Sequence, residues 1–478
     1  MSDFGITSVG AYVPRLRIPR SLIAAAHAWM APGLRGQAKG ERAFCSWDED
    51  AITMAVEAAR DCLGGDAGGL GALTVASTRF PFADLQNSSI VASALGLPAT
   101  IATIDIGHSQ RAGTSGLLAA MRAGREALFV ASDAPIAKPA SVQELSYGAG
   151  AAAFRLGHDG VLARLLGAAT ITEPFVDHFR AASADYDYFW EERWIRDEGY
   201  LKLAPAAIRA ALDDAGVGMN AIAHFVMPSM LRGAAEAVAK KVGFSGTVAS
   251  GLDDGVGYAG AAHAPLMLAH ALETVAPGEL ILLVGFGQGA DALVLEGTEA
   301  IAGLGRGQGV SGRIADKLVT DSYLRMLSFH EGIDLEWGMR AEKNAKTALT
   351  EQYRASGQID AFLAGKCGAC GTVQFPQLQY CVNCHAPAGQ FSDEPLADAP
   401  ARVLTSTADW LSYYPAPPLY VGFVQFDNGA RVMMEMVDVG SEGIDTGTKL
   451  RMVFRIKEKD RQRGYHRYFW KATPALPD

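Results

Sequence analysis

The sequence predicts a duplicated α/β fold followed by a helical lead-in, a pair of cysteine knuckles and a small β-barrel. Three observations carry that expectation. From the N-terminus to about residue 310, β-branched apolar runs alternate with Ala/Leu-rich helical stretches, which marks an α/β domain. The alternation then repeats itself as helix, strand, Gly-bounded corner, helix and strand, twice over. Finally, four of the six cysteines crowd into residues 367–384, and short strands broken by Pro and Gly follow them.

In the first copy EDAITMAVEAARDCL reads as helix and GALTVAS as strand. After a corner, GTSGLLAAMRAG and EALFVASD repeat the pair. In the second copy YLKLAPAAIRAALDDAG leads to AIAHFVMPS, and GYAGAAHAPLMLAHALETV leads to GELILLVGFGQGADALVLE. Residues 185–200, DYDYFWEERWIRDEGY, break the rhythm with aromatics and charges, and are expected to cover a cleft as an insertion or to form a solvated helix. From about residue 312 amphipathic helix with connecting loops is expected. After the cysteines come ARVLTSTADWLSYY, PLYVGFVQFDNGARVMMEMVDVG and TKLRMVFRIKEK, with DNG as a hairpin turn, and these make a small barrel.

A chain of 478 residues suits roughly three units, and its apolar content is enough for a large core. The net charge of −10 argues against a generic nucleic-acid or anionic-membrane binder. One basic hairpin, FRIKEKDRQRGYHRYFWK, interleaves Arg with aromatics and is read as a solvated face rather than a nucleic-acid platform. The N-terminus lacks a basic stretch leading into an apolar one, and no run reaches the ~18 apolar residues of a membrane span. A soluble, cytoplasmic protein with no membrane partner is expected.

KCGACGTVQFPQLQYCVNCH places Cys367, Cys370, Cys381 and Cys384 in two Cys-x-x-Cys knuckles. Four soft thiolates suit tetrahedral Zn²⁺, with iron in a rubredoxin-like site as the rival. With no coordination position left open, the zinc is expected to be structural. Gly368 and Gly371 supply backbone freedom for the knuckles. The organisation is therefore two α/β halves over 1–170 and 171–335, a helical lead-in over 336–364, a zinc ribbon over 365–390 and the barrel over 391–478.

DIGHSQRAGTSG, Asp105 to Gly116, is a strand-to-helix corner whose tip presents Gln110. A helix N-terminus offers unpaired N–H groups and a positive dipole end, so such corners favour developing negative charge.

GAYVPRLRI, DEDAITMAVEAARDCL, SIVASALGLP, AGTSGLLAAM, AVAKKVGF and GYAG…PGELILLVGFGQGADA occur in the order seen in archaeal-type hydroxymethylglutaryl-CoA synthases. The chain resembles that family over about residues 4–335. The resemblance implies the thiolase-superfamily fold, a duplicated five-layer α/β/α/β/α core, with a coenzyme A thioester as substrate and a homodimer or larger homo-oligomer. The remainder resembles the domain-of-unknown-function-35 type, a rubredoxin-like zinc ribbon with an acyl-CoA-associated OB-fold that usually forms a separate chain.

The family's catalytic residues do not carry over. Its Ala-Cys-Lys-Ala-Gly-Thr corner reads Ser109, Gln110, Arg111, Ala112, Gly113, Thr114 here; its histidine falls at Pro228, its glutamate at about Thr78 and its asparagine at Val256, with Tyr258 and Gly260 kept. An amide cannot form a thioester, so chemistry without an acyl-enzyme is expected: aldol or retro-aldol chemistry on a 3-hydroxyacyl-CoA, which needs a base and donors to an enolate. Gln110 is the expected donor. Tyr258 and Tyr188 are the expected acid/base groups, with His108 and Asp254 as further candidates. The alternatives are acyl transfer or Claisen condensation through another residue such as Ser109, decarboxylation of an acyl thioester, whose Gln-for-Cys representatives keep histidines, and a non-catalytic acyl-CoA-binding scaffold.

Overall fold

The computed structural model describes residues 4–304, 309–342 and 345–475. They form two compact units. One comprises Met1–Ser46, Asp50–Ser88 and Thr100–Gly332, and the other Trp47–Glu49, Ser89–Ala99 and Ile333–Asp478.

The first unit holds a nine-stranded sheet made of two related halves. Its strands are β1 (Gly5–Tyr12), β2 (Ala72–Ala76), β3 (Ala102–Ile106), β4 (Ala127–Asp133), β5 (Gly150–Gly157), β6 (Ala163–Thr172), β7 (Ile222–Val226), β8 (Leu280–Phe286) and β9 (Gly289–Gly297). The first half runs β1-β5-β4-β2-β3, antiparallel at the two β5 ladders and parallel beyond. The second half runs β6-β9-β8-β7 with the same sequence of directions. In the second half the counterpart of β3 is a single parallel bridge, Phe225 to Val248. This is the duplication read from the sequence, and the two halves join where Gly5 and Ile6 pair with Arg164 and Ala163.

The helices complete five layers. Helix α1 (Ala51–Leu63) lies on β1, β5 and β4, and α3 (Leu201–Ala215) on β6 and β9. Between the two halves run α2 (Ala112–Ala123) and α5 (His263–Leu272), in contact with each other and with strands of both halves, while α4 (Ala234–Lys241) packs beside α3. Every residue of α5 except His270 is buried, so it is apolar all round, as a central helix must be. Local chemistry sets the ends of α1. The Asp50 carboxylate accepts from the Ile52 and Thr53 amides at 3.0 and 2.9 Å, Thr53 Oγ1 accepts from the Asp50 amide, and Gly64 ends the helix at φ 56°.

In the second unit β10 (Leu363–Cys367), β11 (Val373–Gln374) and β12 (Phe391–Pro395) form the ribbon sheet. β13 (Ala401–Val403), β15 (Leu419–Phe426), β16 (Arg431–Met436), β17 (Lys449–Asp460) and β18 (Tyr465–Pro474) follow the ring β13-β17-β18-β16-β15, and the β13–β15 ladder closes it. β14 (Thr407–Asp409) extends from β15, and the expected Asp427-Asn428-Gly429 turn joins β15 to β16.

After residue 312 short helices, among them Tyr323–Phe329, Leu349–Arg354 and Ser356–Ile359, alternate with loops in which Glu331 and Gly338 take positive φ, 57° and 72°. One expectation is corrected. The basic hairpin, now β17 and β18, is not simply a solvated face. Its Arg455 and Lys471 are each 1% exposed: Arg455 pairs with Glu49 and with Asp438 (2.7 Å), and Lys471 pairs with Asp48 and Glu435 at 3.0 Å. Buried cations are tolerated only with such partners.

Candidate active site and zinc site

Residues Gly107–Arg111 carry the chain from β3 into α2. His108 turns the corner at φ 70° with its side chain exposed, and the helix begins without a side-chain cap. The corner is fixed from behind by Asp291 of β9, fully buried, which accepts from Arg111 Nη1 at 3.2 Å and from the hydroxyls of Thr114, Ser115 and Thr170 at 2.9, 2.6 and 2.7 Å. From the other side the β8–β9 turn closes in so tightly that a Cβ on Gly287 would sit 2.9 Å from Ser109 Oγ and 3.0 Å from the Arg111 amide. Ser109 is spent in this packing, its hydroxyl donating to the Gly287 carbonyl at 3.0 Å.

Gln110 is thereby held facing two residues from distant parts of the chain. The Tyr258 hydroxyl donates to its Oε1, and its Nε2 lies 2.9 Å from His178 Nε2. His178 Nδ1 lies 2.9 Å from Asp177 Oδ2, and Gln288 Nε2 donates to Asp177 Oδ1 at 3.0 Å. One assignment of hydrogens satisfies the whole chain. Tyr258 gives to Gln110, Gln110 gives to His178 Nε2, and His178 Nδ1–H gives to Asp177, so the imidazole carries its lone pair on Nε2.

His178 stands on a short strand, His178–Phe179, paired with Tyr188–Phe189. Alternation sends His178 and Phe189 to the inner face, where the two rings stack at 5.2 Å. Asp187 on the same side accepts from the Tyr147 hydroxyl at 2.6 Å and pairs with Arg180 at 3.6 Å. Tyr188 points the other way, 56% exposed, against Phe179 and Trp190. The segment 185–200 thus divides into this hairpin arm and a helix of which Ile195–Tyr200 is π-helical, leading into α3.

Burial and neighbouring charge shift the proton affinities of the site. Burial pushes the His178 pKa down, but the hydrogen bond and charge of Asp177 outweigh it, and the net pKa lies above the ordinary histidine value. Burial drives the Tyr258 and Tyr147 hydroxyls well above the usual tyrosine pKa, so both are donors near neutral pH. His263, 5.0 Å from the Tyr258 ring, is a satisfied core residue: Nδ1 accepts from the Ala259 amide, Nε2 donates to the Gly251 carbonyl, and burial lowers its pKa to about 4. The Cys62 thiol, buried, is pushed up to about 12 and supplies no thiolate.

Of the residues singled out in the sequence, the structure joins Gln110 and Tyr258 directly. It places Tyr188 and His108 on the outside, and it leaves Asp254 exposed, with its carbonyl accepting from the Glu41 amide. Asp177 and His178 were not anticipated. The Asp-His dipeptide in EPFVDHFR was their one local signal, and nothing local connects it to a corner some seventy residues away.

In the second unit the sulfurs of Cys367, Cys370, Cys381 and Cys384 all lie within 4.8 Å of one another, with Cys367–Cys384 and Cys370–Cys381 at 3.6 Å. Zn–S bonds of about 2.3 Å at tetrahedral angles put sulfurs about 3.8 Å apart, so the donor set fits structural zinc. The knuckles are alike. Gly371 and His385 donate to the carbonyls of Cys367 and Cys381 at 2.8 and 3.0 Å, and both adopt left-handed φ, 75° and 60°. Gly368 does not: it is needed because a Cβ there would meet the Gln390 carbonyl at 2.7 Å.

Comparison with known proteins agrees with the fold of the first unit and with the ribbon of the second. A family described as 3-oxoacyl-[acyl-carrier-protein] synthase III C terminal matches residues 212–296, and the ChsH2 rubredoxin-like zinc ribbon matches residues 354–388. Hydroxymethylglutaryl-CoA synthase of Pyrobaculum aerophilum is 31% identical over 325 residues, 63% of this chain and 89% of that protein. The synthase of Aeropyrum pernix is 32% identical over 314 residues, 63% of this chain and 86% of that one. A crystal structure of hydroxymethylglutaryl-CoA synthase complexed with CoA superposes with a TM-score of 0.60 at 16% identity, covering 71% of this chain and 92% of that chain, which supports the fold. With the thiolase-like halves in place and a relative matched across nearly its whole length, the chain belongs to the hydroxymethylglutaryl-CoA synthase family.

Proposed function

We propose that the first unit breaks or forms a carbon–carbon bond in an acyl-CoA without an acyl-enzyme, by retro-aldol or aldol chemistry on a 3-hydroxyacyl-CoA. The observation that carries this reading is the hydrogen-bonded string Tyr258–Gln110–His178–Asp177, at the corner where the resemblance places the family's cysteine. In the cleavage direction the 3-hydroxyl replaces the Gln110 amide at His178 Nε2, which takes its proton; the bond between carbons 2 and 3 breaks, and the hydroxyl carbon leaves as an aldehyde or ketone. The electron pair passes into the thioester enolate, and the proton returns from His178 to carbon 2, giving a shortened acyl-CoA. Asp177 stabilises the transient imidazolium. Gln110, released from His178, presents its amide N–H as a donor. That donor and the start of α2 serve the enolate oxygen, and Tyr258 polarises the amide from its other end.

Decarboxylation of a malonyl-type thioester is the second reading, favoured by one observation: a histidine does stand beside Gln110. A panel of 3-hydroxyacyl-, 3-oxoacyl- and malonyl-type CoA thioesters followed by mass spectrometry separates the two. Aldehyde or ketone release supports cleavage, carbon dioxide release supports decarboxylation, and a stable adduct on Ser109 would refute both. Gln110→Ala is expected to slow turnover by ~10²–10³-fold while CoA binding persists, the usual effect of removing one oxyanion donor.

We further propose a homodimer through β3, the edge strand of the large sheet, whose Ile104 is 47% exposed. Light scattering is expected to give about twice the 50.5 kDa chain mass, and a monomer at micromolar concentration contradicts it. The closed barrel we assign to the OB type. Among the described residues, no helix is long and apolar enough to cross a membrane.

A further inference from the structure

The His178–Asp177 pair is bracketed by two glutamine amides, and the second of them lies in strained backbone. Gln288 occupies the β8–β9 turn between Gly287 and Gly289 at φ 50°, a left-handed conformation that glycine would adopt freely and glutamine does not. Strain of that kind persists where the surroundings over-determine it. Here the side chain gives the reason: Nε2 donates to Asp177 Oδ1 at 3.0 Å, while the other Asp177 oxygen holds His178 Nδ1. Asp177 is 8% exposed, and Gln288 is its neutral donor, so its charge remains available to His178 instead of being cancelled by a cation. The other ionisable groups around the pair are accounted for. Asp187 is engaged by Tyr147 and Arg180, and Tyr258 and Tyr200 stay protonated because burial raises both phenols.

We propose that Gln288 is a positioning residue: it holds the Asp177 carboxylate in the plane that keeps the His178 lone pair on Nε2, aimed at the Gln110 site. This rests on the reading of His178 as the base, but its test does not require turnover. In protein labelled with ¹⁵N-histidine, one of ten histidines is His178, and His178→Ala identifies its signal. The wild type is expected to show the Nδ1–H tautomer and a midpoint above the ordinary ~6.5. Gln288→Gly removes the amide and the strain together, so the fold keeps or gains stability. Asp177 is then free to rotate, burial acts on His178 unopposed, and the midpoint falls by about half a pH unit or more. Gln288→Ala is expected to give the same shift with a lower melting temperature. If thioesters are turned over, the ascending limb of the pH–rate profile moves down by the same amount and kcat falls. A shifted His178 titration with no turnover on any thioester supports the positioning role while the proposed reaction fails. An unchanged tautomer and midpoint in both variants overturns the proposal.

Discussion

His178→Ala is expected to lower turnover of the cleaved thioester by about 10²–10⁴-fold, the span that general-base catalysis contributes. The loss falls mainly on kcat, because the imidazole acts on a proton and Gln110, Tyr258 and α2 remain to meet the thioester. Circular dichroism is expected to stay native, since His178 lies on a two-residue strand outside the large sheet. The wild-type pH profile carries a second signature. A base must be neutral, and Asp177 holds the His178 pKa above the ordinary value, so the rate climbs with pH through a limb lying above ~6.5. Stability moves oppositely. A folded pKa above the unfolded one gives a contribution that is complete below ~6.5 and is lost as pH rises through the folded value. Wild-type turnover that His178→Ala leaves within a factor of three would remove His178 from the mechanism.

Loss of the metal is the other large effect. Purified protein is expected to carry one zinc per chain, and Cys381→Ser or a strong chelator to remove it. Structural zinc contributes roughly 10–16 kcal/mol of apparent binding energy, comparable with or larger than a domain's whole stability. Cys381 is 1% exposed, so serine there withdraws a buried sulfur and leaves the ion with three of its four ligands. The expected result is selective unfolding of the ribbon, read as protease cleavage between about residues 363 and 395 with the α/β core protected. Metal-free protein with an unchanged melting profile contradicts the assignment.

What the sequence by itself determined about this protein is whatever rests on short-range patterning. Apolar periodicity and Gly-bounded corners were enough for the duplicated halves, because a helix or strand takes its burial stripe from residues two to four apart. Two Cys-x-x-Cys pairs were enough for zinc, because each knuckle is complete within five residues. The Gln110 corner, too, was visible as a strand running into a helix. Tertiary structure alone decided what Gln110 meets. Tyr258 and His178 come from 148 and 68 residues away, Asp291 from β9 and Gln288 from the turn that precedes it. His178 was hidden because it lies on neither repeated half-motif but on a hairpin arm whose two-residue strands leave almost no periodicity, and its inward aim follows only from pairing with Phe189. The burial that fixes Asp48 and Glu49 on Lys471 and Arg455 was equally unreadable, because a lysine inside a closed barrel and one on a solvated hairpin are spelled identically until the chain that neutralises them arrives.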